Sequence, residues 1–190
     1  HQLLLQTEAE IIQNSKFDVK DLNSIEHYFW RRIQIKNSMV DTFYFGTERG
    51  EYISVERQNN GRLIDKIRDA STGLERKVYN LDSQGNRTNL IKSERYDPRS
   101  RPWYKTAKQV GKSTWSPISQ SFSTGDFIID PVVPIYDKQT GAFHGTLATE
   151  IPLAKITDFL RNLKISPTGK ALLVEHSGKI IASSNSEPSS

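Results

Sequence analysis

The chain has 190 residues, 26 basic and 22 acidic side chains, a formal net charge of +4 and 35% hydrophobic residues. That is long enough for one good core or two small ones, and too rich in aromatic and β-branched residues for a disordered chain. The absence of cysteine excludes disulfides, thiolate metal sites and a cysteine nucleophile, and the basic residues alternate with acids, as in Glu75-Arg76-Lys77 and Lys92-Ser93-Glu94-Arg95, so no basic stripe for nucleic acid forms.

Residues 1–16 place Leu4, Leu5, Glu8, Ile11 and Ile12 near helical spacing. A second helix is expected over 21–38, capped by Asp21 or Asn23, with Ile25, Phe29, Ile33 and Met39 close to one face. The two make a helical N-terminal stalk with a break near Lys16 to Lys20. The texture then changes to strand. Phe43, Phe45, Tyr52, Ile53 and Val55 lie in runs divided by Gly46 and Arg49-Gly50, which reads as a hairpin. Asn60-Gly61, Thr72-Gly73 and Gln84-Gly85-Asn86 are turn signals, and Leu63 and Ile67 continue the strands. Residues 80–95 are mostly polar and read as loop.

Pro102 suits the first turn of a short helix to about Lys108, ended by Gly111. The segments Phe127 to Tyr136 and Ala142 to Ile151 read as two long antiparallel strands. Pro152 opens a helix with Ile156, Phe159, Leu160 and Leu163, and Ala171 to Val174 with Lys179 to Ala182 form a hairpin across His176-Ser177-Gly178. Short connections imply an antiparallel sheet and an α+β class. No apolar run approaches eighteen residues, so no segment reads as a membrane span or signal peptide. The start inside a helix and the Ser-rich end suggest a fragment of a longer protein.

Catalytic signatures do not emerge. His27, His144 and His176 are isolated, no Gly-x-Ser-x-Gly elbow is present, and neither a Walker loop nor Gly-x-Gly-x-x-Gly occurs. No enzyme activity, metal or cofactor is expected.

At Tyr96-Asp97-Pro98-Arg99-Ser100-Arg101-Pro102-Trp103-Tyr104 the chain resembles the ligand-contact segment of double Cache sensor domains, which lie outside the membrane in chemoreceptors, sensor kinases and nucleotide cyclases. Phe43-Tyr44-Phe45-Gly46 with Gly50-Glu51-Tyr52-Ile53 resembles the family's first hairpin, and Thr114-Trp115-Ser116-Pro117 the passage before its central strands. Gly145 to Leu153 resembles the close of the first module, and Gly169 to Ala182 the opening of a second. The resemblance implies a long N-terminal helix followed by PAS-like antiparallel sheets flanked by helices. In this chain that gives a stalk over 1–40, a membrane-distal sensor domain over 41–163, and the truncated start of a membrane-proximal domain over 164–190. It also implies an extracytoplasmic, periplasmic position in a membrane-anchored bacterial receptor, with possible homodimerisation through the N-terminal helix.

The resemblance further implies a small-molecule site. Arg101 supplies a planar cation for a ligand carboxylate, with Tyr96, Trp103 and Tyr104 as walls. Two family positions for the ligand ammonium depart from the usual Tyr and Asp: they fall on Ser119 and Glu150. Asp126 and Asp130 are alternative acceptors. The expected ligand is carboxylate-bearing or amino-acid-like. The competing readings are plain: Trp103 as core, Arg101 paired with Asp97 at the surface, Glu150 as a solvated strand end, and the whole as a ligand-free dimerisation or partner-binding module.

Overall fold

A computed structural model describes residues 2–14, 21–35, 40–163, 169–174, 178 and 180–185. Helices α1 (Gln2–Asn14) and α2 (Leu22–Ile33) come first. Strands β1 (Thr42–Thr47), β2 (Tyr52–Arg57), β3 (Leu63–Arg68), β4 (Glu75–Leu81) and β5 (Arg87–Arg95) follow. A 3-10 turn (Pro98–Ser100) leads into α3 (Pro102–Val110). Then come β6 (Thr114–Trp115), β7 (Ser119–Gln120), β8 (Phe127–Ile129), β9 (Pro131–Tyr136), β10 (Phe143–Ala148), β11 (Ile151–Pro152), α4 (Leu153–Asn162), β12 (Leu172–Val174) and β13 (Ile180–Ser183). The class is α+β, as the sequence implies.

The chain divides into two units. The first holds residues 1–117 and 130–150. Its antiparallel sheet has the order β5-β4-β3-β2-β1-β10-β9-β6. Side chains on successive strand residues leave opposite faces, and here both faces are covered. Phe43, Phe45, Ile53, Val55, Ile67, Ile135 and Leu147 meet α1 and α2 in one core. The helices take that role because Leu5, Ala9 and Ile12 share one face of α1, and Leu22, Ile25, Phe29 and Ile33 one face of α2. Leu4 and Ile11 are more than a third exposed. Glu8 is buried between the helices, where it accepts from Arg32 and the Tyr28 hydroxyl. Asp21 is the α2 cap, accepting from Asn23 N at 3.1 Å. The expected break at Lys16 to Lys20 and Met39 lie outside the described residues.

The opposite face is covered by the segment 96–107. Pro102 opens α3, and Gly111 ends it in the left-handed conformation, φ 69°. That turn asks for glycine because it carries no Cβ.

Three expectations fail. Residues 80–95 are not loop: β4 and β5 form a hairpin over them, closed by Gly85 at φ 86°. β5 is the sheet edge and mostly exposed, and its two apolar residues, Leu90 and Ile91, are adjacent and do not alternate with polar ones; charged edges also resist strand addition. The stretch 127–136 is two strands in different sheets, parted at Asp130, where Pro131 lacks the N–H that would continue the ladder. The stretch 142–151 likewise parts at Thr149 and Glu150; Thr149 Oγ1 donates instead to Thr42 O at 2.6 Å.

The second unit holds residues 118–129 and 151–190. It contains the small sheet β11-β8-β7, helix α4 after Pro152, and the hairpin β12–β13. No residue of α4 is fully buried. The expected turn residues His176 and Ser177 lie outside the described residues.

Candidate ligand-binding site

The face under segment 96–107 is built from rows of opposed residues. Ala148, Tyr44, Ser54, Lys66 and Val78 stand opposite one another across β10, β1, β2, β3 and β4. In a row beside it lie Thr146, Gly46, Tyr52 and Arg68. Gly46 is required there: a Cβ on it would lie 2.8 Å from Trp103 Cη2 and 2.9 Å from Pro98 Cβ. Its absence lets the indole rest on β1, edge-on to the Tyr44 ring with centroids 4.9 Å apart.

Tyr96 is buried beside Tyr52, with ring centroids 4.9 Å apart in a T-shape. The Arg76 guanidinium lies over Tyr96 at 4.2 Å from its centroid, a cation on an aromatic face. The Trp103 side chain hydrogen-bonds the Tyr96 hydroxyl, and burial still pushes that phenol up to about 12. The indole N–H is therefore directed within the wall. The Tyr104 ring also packs in this aromatic cluster, but its hydroxyl turns outward and donates to Glu48 at 3.1 Å, alongside Lys108. Tyr104 is a wall without a polar group for the site.

Arg101 caps α3 through its backbone and is partly buried. Asp97, its neighbour across the 3-10 turn, binds Arg99, at 2.7 Å between Arg99 Nη2 and Oδ2, and Arg68 at 3.4 Å. Arg101 lies near enough to Tyr96 and Asp130 to favour the negative form of each.

Asp130 is fully buried. Its backbone N–H donates to Ser116 Oγ at 3.0 Å, and Oδ2 accepts from that hydroxyl at 3.2 Å. Oδ1 finds no hydrogen-bond partner among the described residues. Burial pushes the Asp130 carboxyl up to about 7. The Tyr44 hydroxyl, which hydrogen-bonds the carboxyl, pulls the other way, Glu150 raises it further, and Ser116 and Arg101 lower it. Glu150, half-buried, also acts on Tyr44, Tyr52 and Lys66. Both acids thus face the same surroundings, at the two points where the long strands part.

Two cations that the sequence reading missed line this face. Lys66 is buried and paired with Glu56, and burial lowers its ammonium. Arg76 is buried and paired with Glu94. Of the expected residues, Tyr96, Arg101, Trp103, Asp130 and Glu150 come together, with the Tyr104 ring beside them. Ser119 is in the second unit, half-buried on β7 and paired with Ile128. Asp126 is an exposed turn residue of that unit.

A family model described as a Cache domain (dCache_1) matches residues 5–189. The chain belongs to the Cache domain family. It is a sensor domain of that family, similar to the methyl-accepting chemotaxis protein McpA of Pseudomonas putida, 26% identical over 92 residues, which are 48% of this chain and 14% of McpA. McpC of Bacillus subtilis is 32% identical over 91 residues, 47% of this chain and 14% of McpC. The fold also matches the sensory domain of the Campylobacter jejuni chemoreceptor Tlp3, with a TM-score of 0.65 and 16% identity over 97% of this chain and 63% of that one. The ligand-binding domain of PctB from Pseudomonas aeruginosa, solved with L-Gln, gives 0.61 and 18% over 95% and 58%. The chain therefore spans a small part of the curated relatives and about six-tenths of these solved domains. Among the described residues no helix is long and apolar enough to cross a membrane.

Proposed function

We propose that this Cache domain is the extracytoplasmic, periplasmic ligand-sensing part of a membrane-anchored bacterial receptor of the chemotaxis type, and that it binds an amino-acid-like ligand on the sheet face under segment 96–107. In the parent, the helices within 1–40 would form one layer of the distal sensor, since they share its core, and a proximal module would start from 164. One observation carries the reading. A cation at Arg101, buried acid at Asp130 with an unpartnered Oδ1, and Glu150 share a face walled by Tyr44, Tyr52, Tyr96 and Trp103.

Such a face suits a molecule with separated opposite charges. A guanidinium fork pairs with a carboxylate in two parallel hydrogen bonds. A buried, unsatisfied carboxylate oxygen is costly unless a donor meets it, and a ligand ammonium is such a donor. The aromatic walls exclude water and strengthen both contacts. Signalling then requires that ligand favour one arrangement of the 96–107 segment over another. The structural relatives support the class: PctB was solved with L-Gln, and CtaA of Pseudomonas fluorescens with L-serine.

Titration calorimetry with the twenty proteinogenic amino acids and simple mono- and dicarboxylates tests this. At least one should bind, and Arg101→Ala should weaken it by about 10–100-fold, the loss of one charge-assisted bidentate contact of roughly 1.5–3 kcal/mol. Equal binding by Arg101→Ala removes the anchor from the reading.

A second reading has its own observation. Leu3, Leu4 and Ile11 lie exposed along α1, with Leu3 at 77%. Such a strip suits a homodimer through the N-terminal helix. Sedimentation equilibrium of the domain against Leu3→Glu tests it: a dimer abolished by the variant supports it, and a monomer at all concentrations rejects it.

A further inference from the structure

Which acid meets the ligand's positive end is a question the geometry addresses, within the reading just given that a zwitterion binds here. Asp130 and Glu150 both border the site. Asp130 is the better placed for three reasons. It is 0% exposed. Its carboxylate is held in one orientation, because Ser116 bonds both its backbone N–H and Oδ2. And Oδ1 remains without a partner at a depth where polar atoms are normally satisfied. Glu150 is only half-buried and has a side chain one methylene longer.

The groups around Asp130 fix what it does in the absence of ligand. From β1 comes the Tyr44 hydroxyl, from the 96–101 segment Tyr96 and Arg101, from the residue after β6 Ser116, and from the end of β10 the second carboxylate, Glu150. Arg101 is the cation that lowers Asp130 in that ring, and a zwitterion's carboxylate claims it; Lys66 and Arg76, on the same face, are paired with Glu56 and Glu94. A fully buried acid facing another acid holds a proton readily. An arriving ammonium reverses that balance, since a positive charge against Oδ1 favours the ionised acid.

We propose that Asp130, rather than Glu150, receives the ligand ammonium and releases a proton to water as it does so, so that the domain reads ligand and pH together. The balance is simple. The protonated carboxyl loses one proton to the buffer, the ligand enters with its ammonium intact, and an N–H of that ammonium donates to the freed Oδ1. Binding then weakens as the medium acidifies. With the Asp130 carboxyl at about 7, affinity should fall roughly tenfold between pH 8 and pH 6, one proton's worth over a range in which a free amino acid keeps both its charges.

Calorimetry on the domain with the tightest binder of the amino-acid panel reads this directly. Titrations in phosphate and in Tris at pH 6.5, whose ionisation heats differ, should show release of between half and one proton per ligand bound. Asp130→Asn should abolish both the release and the slope with pH, whereas Glu150→Gln should keep them. A thermal melt of each variant confirms folding, and Asp130→Glu, which restores the charge, should recover part of the pH slope. Binding that is independent of pH and buffer overturns the proton exchange and leaves the ligand reading standing. A slope that vanishes in Glu150→Gln and survives in Asp130→Asn assigns the role to the other acid and overturns the proposal. Absence of binding by every member of the panel overturns the amino-acid reading itself, and the proposal with it.

Discussion

Along β1 and β2 the side chains alternate between two surroundings. Phe43, Phe45, Ile53 and Val55 meet the helices α1 and α2, whereas Tyr44 and Tyr52 meet the segment 96–107. The helix-covered side is an apolar core, and its buried charges at the margin are bridged: Glu8 to Arg32, and Asp65 and Glu26 to a shared Arg87. The other side buries Lys66, Arg76 and Asp130 among aromatic rings and leaves Asp130 Oδ1 unmet. Among the described residues each side leaves one buried carboxylate oxygen unmet, Asp65 Oδ1 beneath the helices and Asp130 Oδ1 under segment 96–107. They differ in what surrounds the acid: Asp65 is bridged to Arg87 at the margin of an apolar core, whereas Asp130 is buried beside aromatic rings and a second carboxylate. One sheet therefore supports a stabilising face and a binding face back to back.

The largest effect should come from the stabilising side. Phe29 is fully buried on α2 and stacks on Phe43 with centroids 5.6 Å apart. Phe29→Ala should cost about 3–5 kcal/mol by lost transfer energy and the cavity left behind. Urea denaturation measures it. The affinity of the folded fraction for ligand should change less than threefold, because the ring has no part in the opposite face. An affinity loss as large as the stability loss would show that the two faces are not separable.

The binding side predicts the opposite sign for removal of a buried group. The Asp130 carboxyl is raised from an ordinary 3.8 to about 7, first by burial. The native state therefore holds a proton that the unfolded chain releases. Its effect on stability is absent below about pH 4, grows unfavourable between there and 7, and is fully expressed above 7. The difference corresponds to roughly 4 kcal/mol as an order of magnitude. Asp130→Asn should flatten that decline, so the variant gains on the parent between pH 5 and pH 8 in urea titrations. Glu26 and Asp65, also raised by burial, keep a residual slope in both proteins. Identical slopes would mean that Asp130 is ionised in the native state at neutral pH without cost.

The two faces were also unequally legible in the sequence. α2, the β1–β2 hairpin, α3 between Pro102 and Gly111, and α4 after Pro152 follow from spacing and punctuation, because local rules of capping and periodicity decide them. Tyr96, Arg101 and Trp103 stood out as a dense cluster in one segment. The β4–β5 hairpin did not, since an edge strand exposed along its length has no alternation to read. Lys66 and Arg76 were missed for a related reason. Each looks like a solvated strand residue until the sheet is known to be covered on both faces. Only the long-range pairing of Tyr44 with Ser54 and of Ser54 with Lys66 carries them under the 96–107 segment. Ser119, a position inferred from resemblance, lies in the second unit of the chain.

The smallest effect should fall where backbone meets site. Gly46 is in an extended strand, so its importance is a matter of space and not of backbone conformation. A methyl group there would press on Trp103 Cη2 at 2.8 Å and on Pro98 Cβ at 2.9 Å. The indole is the end of a side chain rooted in the first turn of α3, and Pro98 belongs to the rigid turn before it, so the relief open to both is a lift of the segment from the sheet. Overpacking of this kind costs about 1–3 kcal/mol, less than emptying the Phe29 site. It should act unevenly, though. A lifted segment carries Arg101 and Trp103 away from Asp130, so Gly46→Ala should reduce ligand affinity by a larger factor than Phe29→Ala does, despite its smaller stability loss. Denaturation and calorimetry on the two variants together give that ratio. If Gly46→Ala destabilises without weakening binding, the 96–107 segment is a lid over a core and not one wall of a site.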